Sequence, residues 1–254
     1  ASCTRRREMP SLGIKLEVGR SATSSGQLPA GGALSNILSS ALDGTNDYIE
    51  TTYSPSASSG FSITMWIKSS NTSQSMTFAS NGTSGGTPGG FQVLSTGSTL
   101  GFYILVKNSS GSTSVYNNVG GTNARNDICD GSWHHLAVTI SGTSVKIYKD
   151  GGDAAGSGNT QGTPFTTWTS SVAYTGNTGN PYVFGRNGGY PGYFYEGLQD
   201  EVGFFEKELS GSEVSAIYNS GVPAPLTAAA WYRMGDGTGD TDSGGGAPAA
   251  GDTI

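Results

Sequence analysis

Residues Asp130–Gly151, DGSWHHLAVTISGTSVKIYKDG, constrain this chain more than any other stretch. Trp133, His135, Ala137 and Thr139 alternate with His134, Leu136, Val138 and Ile140, and a period of two is the signature of a strand. A Ser-Gly-Thr turn follows, then Val145, Ile147 and Tyr148, then an Asp-Gly turn at Asp150–Gly151; the whole segment reads as a β-hairpin. A second segment, Gly197–Gly221, reads as a strand followed by one short helix over about Gly211–Asn219. Ser210 with Glu213 three residues on fits a capping box, and Gly221 fits the stop. A hairpin-rich chain with a single short helix near its end must build its core from sheets.

The rest of the chain agrees. FSITMWIKSS places Phe61, Ile63, Met65 and Ile67 on one face and Trp66 on the other. MTFAS, FQVLST, LGFYILVKN, TSVYNNV and PYVFGRN are further short strands bounded by Asn, Gly, Ser or Thr, and GYFYEGLQDEVGFFEKEL supplies an unusually aromatic one. PFTTW is a brief extended piece in a long polar loop, and LTAAAWYRMGDG gives a last strand. Hydrophobic residues are only 34% and charged residues 13%, with 41 glycines. Low charge with low hydrophobicity can signal disorder, but the 10% aromatic content and the strand periodicity instead indicate short strands joined by many Gly/Ser/Thr turns. Three regions follow: an arm over 1–40, in which GIKLEVGR would add one edge strand; a β domain over 41–234; and a Gly/Asp-rich tail over 235–254.

A net charge of −6 argues against a nucleic-acid partner, because phosphate binding needs a basic face. The one basic cluster, Arg5, Arg6 and Arg7, sits in the arm, where it is either a solvated tail or an anchor onto an acidic partner surface. No apolar run is long enough to span a membrane. The two cysteines, Cys3 and Cys129, do not make a disulfide framework.

Four pieces, in order, resemble the laminin-G-like, concanavalin A-like lectin family: LDGTNDYIE from Leu42, FSITMWIK from Phe61, the Trp133–Gly151 hairpin, and the strand and helix of Gly197–Gly221. The resemblance spans Leu42 to Gly221 and implies an all-β, antiparallel two-sheet jelly-roll sandwich with one short C-terminal helix. It implies ligand contacts from rim loops or one sheet face, sugar or protein binding, and in some members calcium. WYRMGDGTGDT and the Gly/Ser/Thr-rich style also resemble laminin-G-like modules of bacteriophage structural proteins.

Candidate sites follow from residue chemistry. Calcium needs converging hard oxygens, and Asp43, Asn46 and Asp47 share one turn, with Asp200 opening a strand that would lie beside it. The same residues equally suit turn formation by side-chain bonds to backbone amides. For a saccharide, aromatic faces beside amide and guanidinium donors are the expected chemistry. Arg186, Asn187, Tyr190 and Tyr193 lie within one Gly-rich hairpin, and Trp168 lies in the long loop; ordinary hairpin packing explains them too. A glycosidase needs a carboxyl pair. Of Asp200, Glu201 and Glu206, alternation sets Glu201 opposite the other two. His134 and His135, adjacent on a strand, face opposite sides, one packed and one solvated.

The sequence therefore leads to the expectation of a non-enzymatic surface module. Its expected setting is a virion surface, as a head decoration or fibre-associated protein. Its expected partners are other shell proteins through the arm, host glycans and further copies of itself, with neither nucleic acid nor membrane. The alternative is a secreted or cell-surface lectin or adhesion module.

Overall fold

The structure, a computed structural model, describes residues 13–16 and 39–234, apart from 57–59, 82–89, 96–101, 109, 111–112, 120–126, 153–160, 177–180, 188–191 and 223–225. In chain order the strands are β1 (Gly13–Leu16), β2 (Ser40–Asp43), β3 (Tyr48–Thr51), β4 (Gly60–Lys68), β5 (Met76–Ser80), β6 (Gly90–Ser95) and β7 (Phe102–Lys107). They continue as β8 (Thr113–Val119), β9 (His134–Ser141), β10 (Ser144–Lys149), β11 (Thr166–Thr169), β12 (Val183–Phe184) and β13 (Glu196–Phe205). Helix α1 (Gly211–Tyr218) precedes the last strand, β14 (Ala230–Tyr232). No helix among the described residues is long and apolar enough to cross a membrane.

The strands form two sheets, as the resemblance implied. Sheet A runs β1-β3-β12-β5-β6-β7-β8 and sheet B runs β11-β10-β9-β4-β13-β14. Strand β13 is the spine of sheet B. One of its edges pairs with β4, and the other carries β2 along Glu196–Gln199 and β14 along Val202–Phe204. The core lies between the sheets. Phe61, Ile63, Met65 and Ile67 of β4 face it with Leu136, Val138 and Ile140 of β9, against Phe78, Phe91, Val93, Ile104 and Phe184 of sheet A. Its centre is aromatic: Phe61 stacks on Tyr182 at 5.5 Å and Phe204 meets Tyr182 at 4.6 Å. Each such buried ring removes enough apolar area from water to stabilise the fold by roughly 2–3 kcal/mol.

The predicted hairpin is β9–β10, turning through Gly142 at φ +55°, and it ends in a turn with Asp150 at φ +49° and Gly151 at φ +79°. Two successive positive φ values match the right-handed strand twist. The capping box is present, with Glu213 N–H donating to Ser210 Oγ and Ser210 N–H donating to the Glu213 carboxylate. The left-handed cap is Asn219 at φ +48°, two residues before the glycine expected to end the helix. The aromatic strand is shorter than its sequence suggests. Tyr193 takes φ +55°, which ends regular pairing, so β13 begins at Glu196.

Helix α1 lies over the outer face of sheet B. Val214 packs with Ala137, Tyr148, Phe205 and Leu209 in a second apolar cluster. Gly211 makes this close approach feasible: a Cβ there would stand 1.7 Å from the carbonyl oxygen of Gly162. Under the helix, His135 is 1% exposed, its ring 5.5 Å from Trp66 and 6.1 Å from Tyr218. The expectation of one solvated histidine fails. His134 is also buried, held by Asp150 at 2.8 Å and Asp130 at 3.1 Å.

Candidate functional site

The Gly-rich hairpin after β12 builds the most ligand-like surface. Gly185 at φ +80° begins it, in a position where a Cβ would stand 2.6 Å from Leu42 Cδ1. Tyr195 N–H donates to Gly185 O at 2.8 Å and Asn187 N–H to Gly192 O at 3.3 Å, closing the loop as a ladder. Thr77 N–H donates to Tyr193 O at 2.8 Å, pinning the loop to β5 where the β5–β6 register shifts. The loop is thereby held beside β5, beyond the end of β12.

Three of the expected ligand residues lie on this loop, Arg186 and Asn187 as it leaves β12 and Tyr193 as it returns. Arg186 lies over the Tyr48 ring, 4.0 Å from its centroid, and pairs with Glu50 at 2.6 Å. Alternation on β3 buries Ile49 and turns Tyr48 and Glu50 outward to meet it. The Arg186 Nε is buried without a hydrogen-bond partner. Asn187 is buried and reaches Gln92 Oε1 on β6 at 3.5 Å. Tyr193 is 48% exposed, an outlier among the large apolar side chains. Burial, with the neighbouring Tyr193 phenol, raises the pKa of Tyr103. The loop thus presents a guanidinium at Tyr48 and Glu50, an amide at Gln92, and an exposed phenol on the side of Tyr103. That inventory can hydrogen-bond hydroxyls and stack on an apolar ring face. Tyr190 lies outside the described residues. Trp168 is not part of this loop: it sits on β11 at the edge of sheet B and packs partly buried against the core.

The acidic residues do not come together as a calcium site would require. Asp43 Oδ1 accepts from Thr45 N–H at 2.8 Å, Asn46 N–H at 3.1 Å and Asp47 N–H at 3.4 Å, while Asp43 N–H donates to Asp47 Oδ2 at 3.2 Å. These carboxylates shape the turn. Burial opposes ionisation of Asp43, but the turn amides outweigh it and lower its pKa. Burial, with the adjacent Asp43 charge, raises that of Asp47. Asp43 pairs with Glu196, four residues from Asp200 along β13, a separation of roughly 13 Å at strand rise. Among the described residues no three His, Cys, Asp or Glu side chains form a metal-holding group.

A β-bulge corrects the expected geometry of the other carboxylates. The β13–β4 register shifts between Asp200 and Gly203, with Glu201 at φ +48°. The extra residue moves Glu201 to the outer face beside Asp200, where strict alternation would have turned it inward. Both are buried, at 4% and 3% exposure. Glu201 accepts hydrogen bonds from Trp231 Nε1 and, at 3.3 Å, from Arg233 Nε. Asp200 Oδ1 accepts from Glu201 N–H at 2.8 Å. Glu206 is elsewhere, accepting from Ser56 N–H at 3.0 Å, Ser56 Oγ at 2.7 Å and Tyr53 Oη at 3.3 Å. Arg5, Arg6 and Arg7 lie outside the described residues.

Two sheets in this order, the hairpin and the capped helix fit one family, and its sequence pattern, described as the concanavalin A-like lectin/glucanases superfamily, matches residues 43–215. The chain belongs to that superfamily. Solved lectin-superfamily-like folds resemble it at low identity. A protein from Bacteroides ovatus assigned to carbohydrate binding is 14% identical with a TM-score of 0.50, covering 78% of this chain and 52% of its own. The native heptameric SAP-like pentraxin of Limulus polyphemus is 14% identical with a TM-score of 0.46, covering 70% and 80%. Domains LG4-5 of the mouse laminin α1 chain are 13% identical with a TM-score of 0.45, covering 74% and 49%. This concanavalin A-like chain thus spans about half the length of the Bacteroides and laminin chains. Such identities speak for the fold alone. No curated protein matches the chain.

Proposed function

We propose that this concanavalin A-like domain is a non-enzymatic glycan-binding module, displayed on a virion surface as a head decoration or fibre-associated protein and anchored by its N-terminal arm. The observation that carries the binding half is the hairpin after β12: Arg186 set over Tyr48, Asn187 on Gln92, and Tyr193 exposed on the same loop. Guanidinium and amide donors suit saccharide hydroxyls or a sugar carboxylate, and an exposed phenol ring suits the apolar face of a sugar. The superfamily's lectins and the Bacteroides ovatus likeness support the reading. The virion setting rests on the low-charge, Gly/Ser/Thr-rich composition and the long arm.

The test is a glycan array probed with the wild type, Arg186→Ala and Tyr193→Ala, with and without calcium. Binding by the wild type that both variants lose, at unchanged melting temperature, supports the site. Equal binding by all three removes it. Fractionation of the native source tests the setting. Co-migration with a large particle, lost on deletion of residues 1–40, supports anchoring; a free soluble species favours the secreted lectin.

A further inference from the structure

Strand β1 is attached to the fold in an unusual way. Gly13–Leu16 pair with Tyr48–Thr51 in parallel, while every other pairing between described strands is antiparallel. Residues 17–39 separate it from β2, which belongs to the opposite sheet. The pairing covers four residues, and 23 residues of sequence lie between it and the next strand. The same four-residue pairing is open to a neighbour's strand when copies are packed side by side.

The acceptor edge is well defined. Thr51 N–H donates to Tyr182 O at 3.0 Å on the β12 side, so by alternation the amides of Tyr48 and Glu50 face the edge that β1 fills. Charge favours the same contact. Residues 1–40 hold five Arg or Lys against two Glu, a balance of +3, while the rest of the chain carries −9. The parallel sense fixes the direction of entry. Gly13 lies opposite Tyr48, at the end of β3 where Asp43, Asp47 and Glu196 stand, and Arg5, Arg6 and Arg7 precede it in the sequence.

We infer that the β3 edge filled here by the chain's own β1 is an arm acceptor between copies of this chain, which exchange arms: Gly13–Leu16 of one copy add in parallel to Tyr48–Thr51 of the next, favoured by the positive charge of residues 1–40 and the acidic rim. The contact is head-to-tail, joining two different surfaces, so it extends from copy to copy. It deepens the anchoring half of the proposed function, on which it rests, and is independent of glycan binding.

Sedimentation velocity of the full-length chain tests it. Association should grow with protein concentration and weaken in high salt. Ile14→Pro removes the donor. Glu50→Pro removes an acceptor amide while leaving the Thr51–Tyr182 bond, and Glu50→Gln keeps the amide and should associate like the wild type. Each proline variant alone should sediment as a monomer, and their equimolar mixture as a dimer that grows no further. Strand pairing within one chain cannot give that complementation. If Glu50→Pro lowers the melting temperature, a peptide of residues 11–20 in excess replaces it and should dissociate the wild-type assembly. A wild type that stays monomeric at every concentration overturns the inference. So does a mixture that stays monomeric, or an assembly the peptide leaves intact, although the wild type associates. In either case arm-dependent co-migration with a particle would still support anchoring to a different protein.

Discussion

Replacing His135 with phenylalanine should flatten the acid side of the stability curve. The imidazole is 1% exposed between Trp66 and Tyr218, and neither ring nitrogen has a hydrogen-bond partner. Burial lowers its pKa from 6.5 to about 4, against the opposing pull of Asp150. In the unfolded chain the same ring titrates near its ordinary value. Below pH 6.5 the unfolded state therefore binds a proton that the folded state refuses, and stability falls until about pH 4, where both states are protonated. At about 1.4 kcal/mol per unit the full loss is about 3 kcal/mol, of which about 2 kcal/mol has been lost by pH 5. Phenylalanine keeps the ring stack and the His135 backbone bond to Asp150, and it removes the titration. Urea unfolding of both proteins at pH 7.5 and pH 5 isolates the effect, because every other group titrates alike in the two. The wild type should lose about 2 kcal/mol more than the variant over that interval. Parallel losses would refute the reasoning, since they would mean His135 accepts its proton while folded.

The neighbouring histidine should behave with the opposite sign. Burial opposes protonation of His134, but Asp150 and Asp130 outweigh it and raise its pKa, so its contribution is complete below pH 6.5 and is lost as pH rises through the folded value. His134→Gln should therefore cost more stability at pH 5.5 than at pH 8.5, measured by thermal melts. Gly211→Ala should destabilise by about 3 kcal/mol, because its Cβ would meet backbone and not a movable side chain. Ser210→Ala should cost about 1 kcal/mol by loss of the helix cap, read from denaturant midpoints.

Local signals carried most of the fold. Alternation in residues 130–151 found β9 and β10 because a hairpin is set by its own turn, and Ser210 with Glu213 found the helix start because a cap is made by residues three apart. The bulge at Glu201 left no such trace. Pairing with β4 and β14 decides it, and without it the face of Glu201 is read wrongly. The burial of His135 was hidden for a similar reason: alternation assigns a side chain to a face but does not say that α1 covers that face. At the candidate site, Arg186, Asn187 and Tyr193 stood out in a Gly-rich turn. Their partners Tyr48, Glu50 and Gln92 arrive from β3 and β6 and become neighbours only when β12 inserts between β3 and β5. Trp168 looked like a loop aromatic because the pairing of β11 with β10, which directs it to the core, spans a long polar connection.

The shared edge of β13 gives the domain a nearly circular wiring. Strands β14 and β2 run in the same direction along it, with Tyr232 opposite Val202 and Ser40 opposite Gln199. The exit of the last strand thus points at the entry of the first, across roughly 10 Å of strand. A short connector from β14 to β2 would make them one interrupted strand, and the chain could then be reopened at the Gly142 turn with the loss of one pairing, that of the bypassed β1 with β3. A load on the chain ahead of β1 meets the β1–β3 pairing on sheet A first, whereas a load on β14 meets its pairing with β13 on sheet B, so the two ends are resisted by different sheets.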